Sequence, residues 1–129
     1  MSKYSEKSFI KSFGFALRGL KLVVKSQKNF LRQLFIAFLS ILLAFVLKFS
    51  LVEFCIIFVL IAIVLISEMF NSVIEFTIDA VFKNKFSKLA GMAKDMAAGA
   101  VCLASFVAII VGSMIFINHF IALLKGSTL

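Results

Sequence analysis

Three stretches of this chain are so uniformly apolar that they leave room for little besides membrane-crossing helices. Asn29–Phe49, Leu51–Val81 and Asp95–Leu124 each hold about the 20 mostly apolar residues a span needs. Within hydrocarbon a single segment satisfies its own backbone groups only as a helix. Composition agrees: 63% of the 129 residues are hydrophobic, 17 are Phe, and there is no Pro or Trp, far from the usual soluble mixture. The expected class is an all-α integral membrane protein, multi-pass, with residues 1–129 forming one membrane domain. In the first span only Gln33–Leu47 is free of charge, and Arg32 and Lys48 can snorkel from its ends. The second span is long enough for its last two turns to project toward the headgroup layer.

Residues 1–28 read differently. In "KSFIKSFGFALRGLKLVVK" a winding of about 100° per residue puts Phe9, Phe13, Ala16, Leu17, Leu20 and Val24 on one side. Lys7, Lys11, Arg18, Lys21 and Lys25 fall opposite. Such a helix lies in the bilayer interface, apolar face down and basic face toward anionic headgroups. The N-terminus is basic rather than apolar, so no cleavable signal is expected and the later spans direct insertion. The net charge of +8 brackets membrane spans and has no base-stacking platform beside it, which argues against a nucleic-acid partner. It is better read as topology. Lys and Arg gather before the first span, and Lys83, Lys85, Lys88 and Lys94 fill the second connection, whereas the other two ends offer only Lys48 and Lys125. The positive-inside rule then places the N-terminus and the second connection in the cytoplasm and the C-terminus outside. Cys55 and Cys102 lie inside apolar runs and read as small buried hydrophobes.

The end of the second span, "SEMFNSVIEFTID" at residues 67–79, puts three carboxylates and an amide where each costs roughly 2.5–3.5 kcal/mol or more if it faces lipid at mid-depth. With Glu68 at zero on a helical wheel, Asn71, Glu75 and Asp79 fall within a face about 80° wide. The stripe lies at the cytoplasmic end, and Lys94 and Asp95 open the third span at the same depth. A bland reading makes it a set of ion pairs and hydrogen bonds between helices. For Asp79, one turn from Lys83, that reading is at least even with function. It is weaker for Glu68 and Glu75, since one basic partner cannot satisfy both. A basic collar around a carboxylate pair suits a phosphate donor bridged by a divalent cation, with hard oxygens for magnesium and lysine for the phosphates.

At these residues the chain resembles the small prokaryotic diacylglycerol kinase family, which also contains the undecaprenol kinases. The resemblance rests on "EMFNSVIEFTID" followed by "AKDMAAGAV", supported by "GFALRGL", "KNF" and "NHF", and runs from about Phe9 to Phe120. It implies a homotrimeric bundle of subunits with three transmembrane helices and an N-terminal amphipathic surface helix, with composite sites between subunits in the bacterial inner membrane. It implies a single lipid-kinase domain that moves the γ-phosphate of ATP, with Mg2+, to the hydroxyl of a membrane lipid. By the same resemblance Glu68 would be the general base, Asn71 would position the reacting groups and Glu75 would hold magnesium. Lys94 and Asp95 would contact the nucleotide, and Lys11 and Phe15 would line the adenine pocket, with Phe15 where some members have Tyr. The sequence has neither a Walker loop nor a protein-kinase glycine loop, so side chains and the cation must hold the phosphates.

Two departures from the family pattern stand out. Gln27 occupies the place of a glutamate that serves the family as a second magnesium ligand; an amide oxygen can coordinate but brings no charge. The connection "AVFKNKFSKLAGMAK" is one residue longer than the family's and lacks its common His, which leaves adenine contacts from this loop open. In the third span Ala97, Ala100, Ala104, Ala108 and Gly112 recur every three or four residues, a face for close helix packing. Asn118 and His119 lie at its outer end, far from the cytoplasmic chemistry, and an isolated interfacial His such as His119 reads as a headgroup contact rather than a ligand. An ion-coupled carrier would also want intramembrane carboxylates, although near mid-membrane and with broken helices. A catalytically weak scaffold is suggested by Gln27 alone. Diacylglycerol and undecaprenol stand level as acceptors.

Overall fold

A computed structural model of the chain describes residues 2–83 and 85–126, with side chains from residue 8 onward. The side chain of Lys7, expected on the basic face of the first helix, and Asn84 in the second connection lie outside the described residues. The described chain is helical: α1 Ser2–Ser26, α2 Lys28–Val46, α3 Leu51–Phe82 and α4 Lys88–Leu124. The last three are each long and apolar enough to cross a membrane. At about 1.5 Å per residue, α3 with its 32 residues extends about 48 Å, well past a hydrocarbon core of about 30 Å. The carboxylate stripe therefore falls on turns that such a core need not enclose.

Each helix ends for a local reason. α1 and α2 are separated by Gln27, whose backbone is extended at φ −115°, ψ 105° and whose side chain makes no capping bond. α2 closes through a left-handed Lys48 at φ 58°, after which the Phe49 N–H donates to the Ala44 carbonyl at 3.0 Å. α3 starts from a capping box: the Glu53 N–H donates to Ser50 Oγ at 3.2 Å, and the Ser50 N–H donates to Glu53 Oε1 at 2.9 Å. α3 stops at Lys83, also left-handed at φ 47°. Ser87 then accepts from the Ala90 N–H to begin α4.

α3 packs mainly against α4 and less against α2, while α1 touches α2. The best-buried apolar cluster sits at the end of the bundle that holds the α2–α3 link. Ala44, Leu47, Phe49, Ile57 and Leu60 form it, with Phe54 and Phe116 packed alongside. Phe49 anchors it, its ring centroid 4.8 Å from that of Phe116 and 4.6 Å from His119, the last in a stacked arrangement. His119 is itself buried, and its Nε2 lies 2.7 Å from Glu53 Oε2. The sequence reads it as a headgroup contact; instead it closes the apolar cluster, because Glu53, whose Oε1 completes the capping box, offers its other oxygen as a partner 66 residues away. Along the rest of α2–α4 large apolar side chains such as Phe35, Phe58, Phe70 and Leu103 remain exposed. So do Phe9, Phe13 and Phe15 on α1.

Candidate active site

The stripe on α3 runs from a sealed residue to an open one. Glu68 is only 4% exposed, and a carboxylate so enclosed needs hydrogen-bond partners. It has one from α2: Gln33 Nε2 donates to Glu68 Oε2 at 3.2 Å. Ser72, one turn on, donates instead to the Glu68 carbonyl at 3.0 Å. One turn beyond Glu68, Asn71 Nδ2 reaches Glu75 Oε1 at 3.4 Å, a long contact. Asn71 Oδ1 is buried with no hydrogen-bond partner among the described residues, and so is Gln33 Oε1. Two hard oxygens thus stand unused in the polar zone, beside a carboxylate that is only loosely engaged.

Farther along, Asp79 is exposed and its Oδ1 lies 2.6 Å from Lys94 Nζ at the start of α4. The i,i+4 pair with Lys83 does not form. Lys83 has left the helix in the left-handed region and only its N–H returns, to the Asp79 carbonyl at 3.0 Å; the side-chain alignment that a continuing helix supplies is lost there. Asp95 is exposed beside Lys94, and Lys11 and Phe15 are exposed on α1, where the Arg18 guanidinium carbon stands 5.4 Å from the Phe15 ring centroid. Gln27 is half-buried at the α1–α2 break. The structure therefore brings together Gln33 with Glu68, Asn71 with Glu75, and Asp79 with Lys94. Among the described residues no side-chain hydrogen bond or ion pair ties Lys11, Phe15, Gln27 or Asp95 to these pairs.

Gln33 is the residue that reading the chain alone passed over. Its only sequence signal is an amide at the edge of the first apolar run, and its partner is 35 positions away. From Gln33 an apolar cleft of about 420 Å³ runs between α2, α3 and α4 past Ser40, Leu60 and Ala108 to Phe116. A second hollow, of about 280 Å³, lies between the end of α3 and the start of α4, edged by Asp79, Lys85, Phe86 and Lys94. Among the described residues no group of three or more His, Cys, Asp or Glu could hold a metal ion. Magnesium, however, is commonly held by one or two carboxylates plus substrate phosphates and water. Glu75, with the unused Asn71 oxygen nearby, fits that pattern.

Similarity to known proteins decides what kind of protein carries this arrangement. Residues 14–116 match the model described as prokaryotic diacylglycerol kinase. The chain belongs to that family. It is similar to an undecaprenol kinase of Bacillus subtilis, 37% identical over 109 residues that cover 84% of this chain and 88% of the relative. A diacylglycerol kinase of Synechocystis is 30% identical over 113 residues, 88% of this chain and 65% of that protein. One from Escherichia coli K12 is 28% identical over 111 residues, 86% and 90% of the two chains. For a prokaryotic diacylglycerol kinase family member, three helices able to span a membrane mark a multi-pass membrane protein. The matched segment takes in Gln27, Gln33, Glu68, Asn71, Glu75, Lys94 and Asp95.

Proposed function

We propose that this lipid kinase uses ATP and magnesium to phosphorylate the hydroxyl of a membrane lipid, and that Glu68 is the base that makes the hydroxyl reactive. The observation that carries the reading is the burial of Glu68 with a hydrogen bond from Gln33 next to an apolar cleft. A lipid lying in that cleft can bring its terminal hydroxyl to the carboxylate while its hydrocarbon stays out of water. The hydroxyl proton passes to Glu68, the oxygen attacks the γ-phosphorus, and the bond from that phosphorus to the β–γ bridging oxygen breaks to release ADP. Asn71 orients the reacting groups, as its engagement with Glu75 allows. Lys94 and Asp95 meet the nucleotide, with Lys11 and Phe15 contributing from α1. Glu75, with Gln27 and the phosphate oxygens, would hold magnesium, which when bound neutralises charge on the phosphates.

Lys11, Phe15 and Gln27 have no described tie to the α3 stripe, which supports a site completed between subunits of a homotrimer. The exposed apolar surface of α2–α4 offers area both for lipid and for neighbouring subunits. In this reading residues 1–129 are one lipid-kinase domain in the inner membrane, α1 lies on its cytoplasmic surface, and the polar end of the bundle faces the cytoplasm. α3 runs unbroken from Leu51 to Phe82, unlike the interrupted helices expected of an ion-coupled carrier.

The relative of higher identity among those compared supports undecaprenol as the acceptor, and the family description supports diacylglycerol. Purified protein, γ-labelled ATP and each lipid alcohol in turn test both. Label is expected in undecaprenyl phosphate at a higher turnover than in phosphatidic acid, and only with magnesium present. No labelling of either lipid by folded protein would refute the reading and leave a catalytically weak scaffold.

A further inference from the structure

Lys94 carries a four-carbon stem and about 2 kcal/mol of rotamer entropy, so a lysine that must meet a polyphosphate gains from being held in place beforehand. Asp79 is placed to do this. It follows Glu75 by one turn on the same face of α3, and its Oδ1 lies 2.6 Å from Lys94 Nζ across fifteen residues of chain. Lys83, Lys85 and Lys88 are nearer in sequence, yet among the described residues the ion pair goes to Lys94. The pair is a poor stability device, since the side chains of Lys94 and Asp79 are 38% and 54% exposed and pairs so placed contribute little to folding. Its geometry has a different consequence. The ammonium has three donors; with one engaged by Asp79, two remain for a ligand, and Lys94 and Asp79 both line the hollow between the end of α3 and the start of α4.

We propose that Asp79 is a positioning residue, holding the Lys94 ammonium over the α3 stripe so that its remaining donors meet the nucleotide phosphates. This rests on the reading that Lys94 contacts ATP. The full-length protein in lipid nanodiscs would be compared as Asp79→Asn, Asp79→Glu, Lys94→Met and Asp79→Asn/Lys94→Met. The readouts are ATP affinity without acceptor lipid, then KM for ATP, KM for lipid and kcat. Lys94→Met is expected to weaken ATP binding about tenfold or more. Asp79→Asn should raise both Kd and KM for ATP about three- to fivefold, as the loss of a partly exposed charge pair allows, with kcat and lipid KM within about twofold. Asp79→Glu should recover most of the affinity, and Asp79→Asn should add nothing in the Lys94→Met background. Unchanged or tighter ATP binding in Asp79→Asn, or additive effects in the double variant, overturns the proposal while leaving Lys94 in its role. Unchanged ATP binding in Lys94→Met overturns both.

Discussion

Glu68 differs from the other acidic residues of α3 in what surrounds it. Glu75 is half-buried and Asp79 exposed, whereas Glu68 is closed off and its carboxylate receives a hydrogen bond from Gln33. Replacing it with Gln keeps size and hydrogen-bonding capacity but removes the basic oxygen. Glu68→Gln is accordingly expected to retain ATP affinity and lose about 10²- to 10⁴-fold in turnover, the range for a removed acid–base group; near-normal turnover in folded protein would end its candidacy. Gln27 invites the opposite experiment, because adding a carboxylate should strengthen the hold on a divalent cation. Gln27→Glu is expected to lower the magnesium concentration for half-maximal rate roughly tenfold, about 1.4 kcal/mol, with less effect at saturating magnesium. An unaltered magnesium titration would remove residue 27 from the ligand set. At this scale the shared face of Glu68, Asn71 and Glu75 was legible, since helical periodicity alone determines it. Gln33 and the partner of Asp79 were not, because each depends on how two helices settle against one another.

Helix ends carry the information that hydropathy misses. The apolar runs announce α2, α3 and α4, and α4 reaches back to Lys88 as a helix longer than the apolar run itself. Nothing in hydropathy announces that Lys48 and Lys83 take left-handed backbone, or that Glu53 both closes the Ser50 capping box and meets His119. A lysine in that conformation costs about 1–2 kcal/mol that glycine avoids, while glycine gives back about 0.4–1 kcal/mol through its freer unfolded chain. The first effect is the larger. Lys48→Gly should therefore raise stability by about 0.5–1 kcal/mol, read from thermal unfolding in detergent. A lower melting temperature would mean that the Lys48 side chain contributes more than its backbone loses.

For the whole molecule, the proposed topology has Lys83–Lys94 on the cytoplasmic side, the side that the positive-inside rule assigns to a lysine-rich connection. A cysteine at Ser87, in a protein whose Cys55 and Cys102 have been replaced, is expected to resist a membrane-impermeant maleimide in intact cells and to react once they are opened. Labelling from outside would invert the topology.

The Phe49–Phe116–His119 cluster has a mechanical consequence. With the Glu53–His119 contact it fastens the α2–α3 link and the start of α3 to α4 at one extremity of the bundle, whereas at the other the side-chain hydrogen bond between α3 and α4 among the described residues is that of the exposed Asp79–Lys94 pair. A long rod pinned near one tip is a lever, and its travel grows with distance from the pivot. Asp79 lies 19 residues beyond Leu60, about 28 Å along the axis, so a tilt of about 5° carries it about 2.5 Å. That displacement is of the order of one hydrogen-bond length. In the proposed reading, rotations of that size at the pivot would widen or narrow the hollow beside Asp79 and Lys94, with the aromatic cluster scarcely disturbed. Amide hydrogen exchange should display the gradient, slowest around Ile57–Leu60 and Val111–Phe116 and progressively faster toward Phe82 and Lys88; uniform protection along both helices would mean a rigid pair with no such leverage.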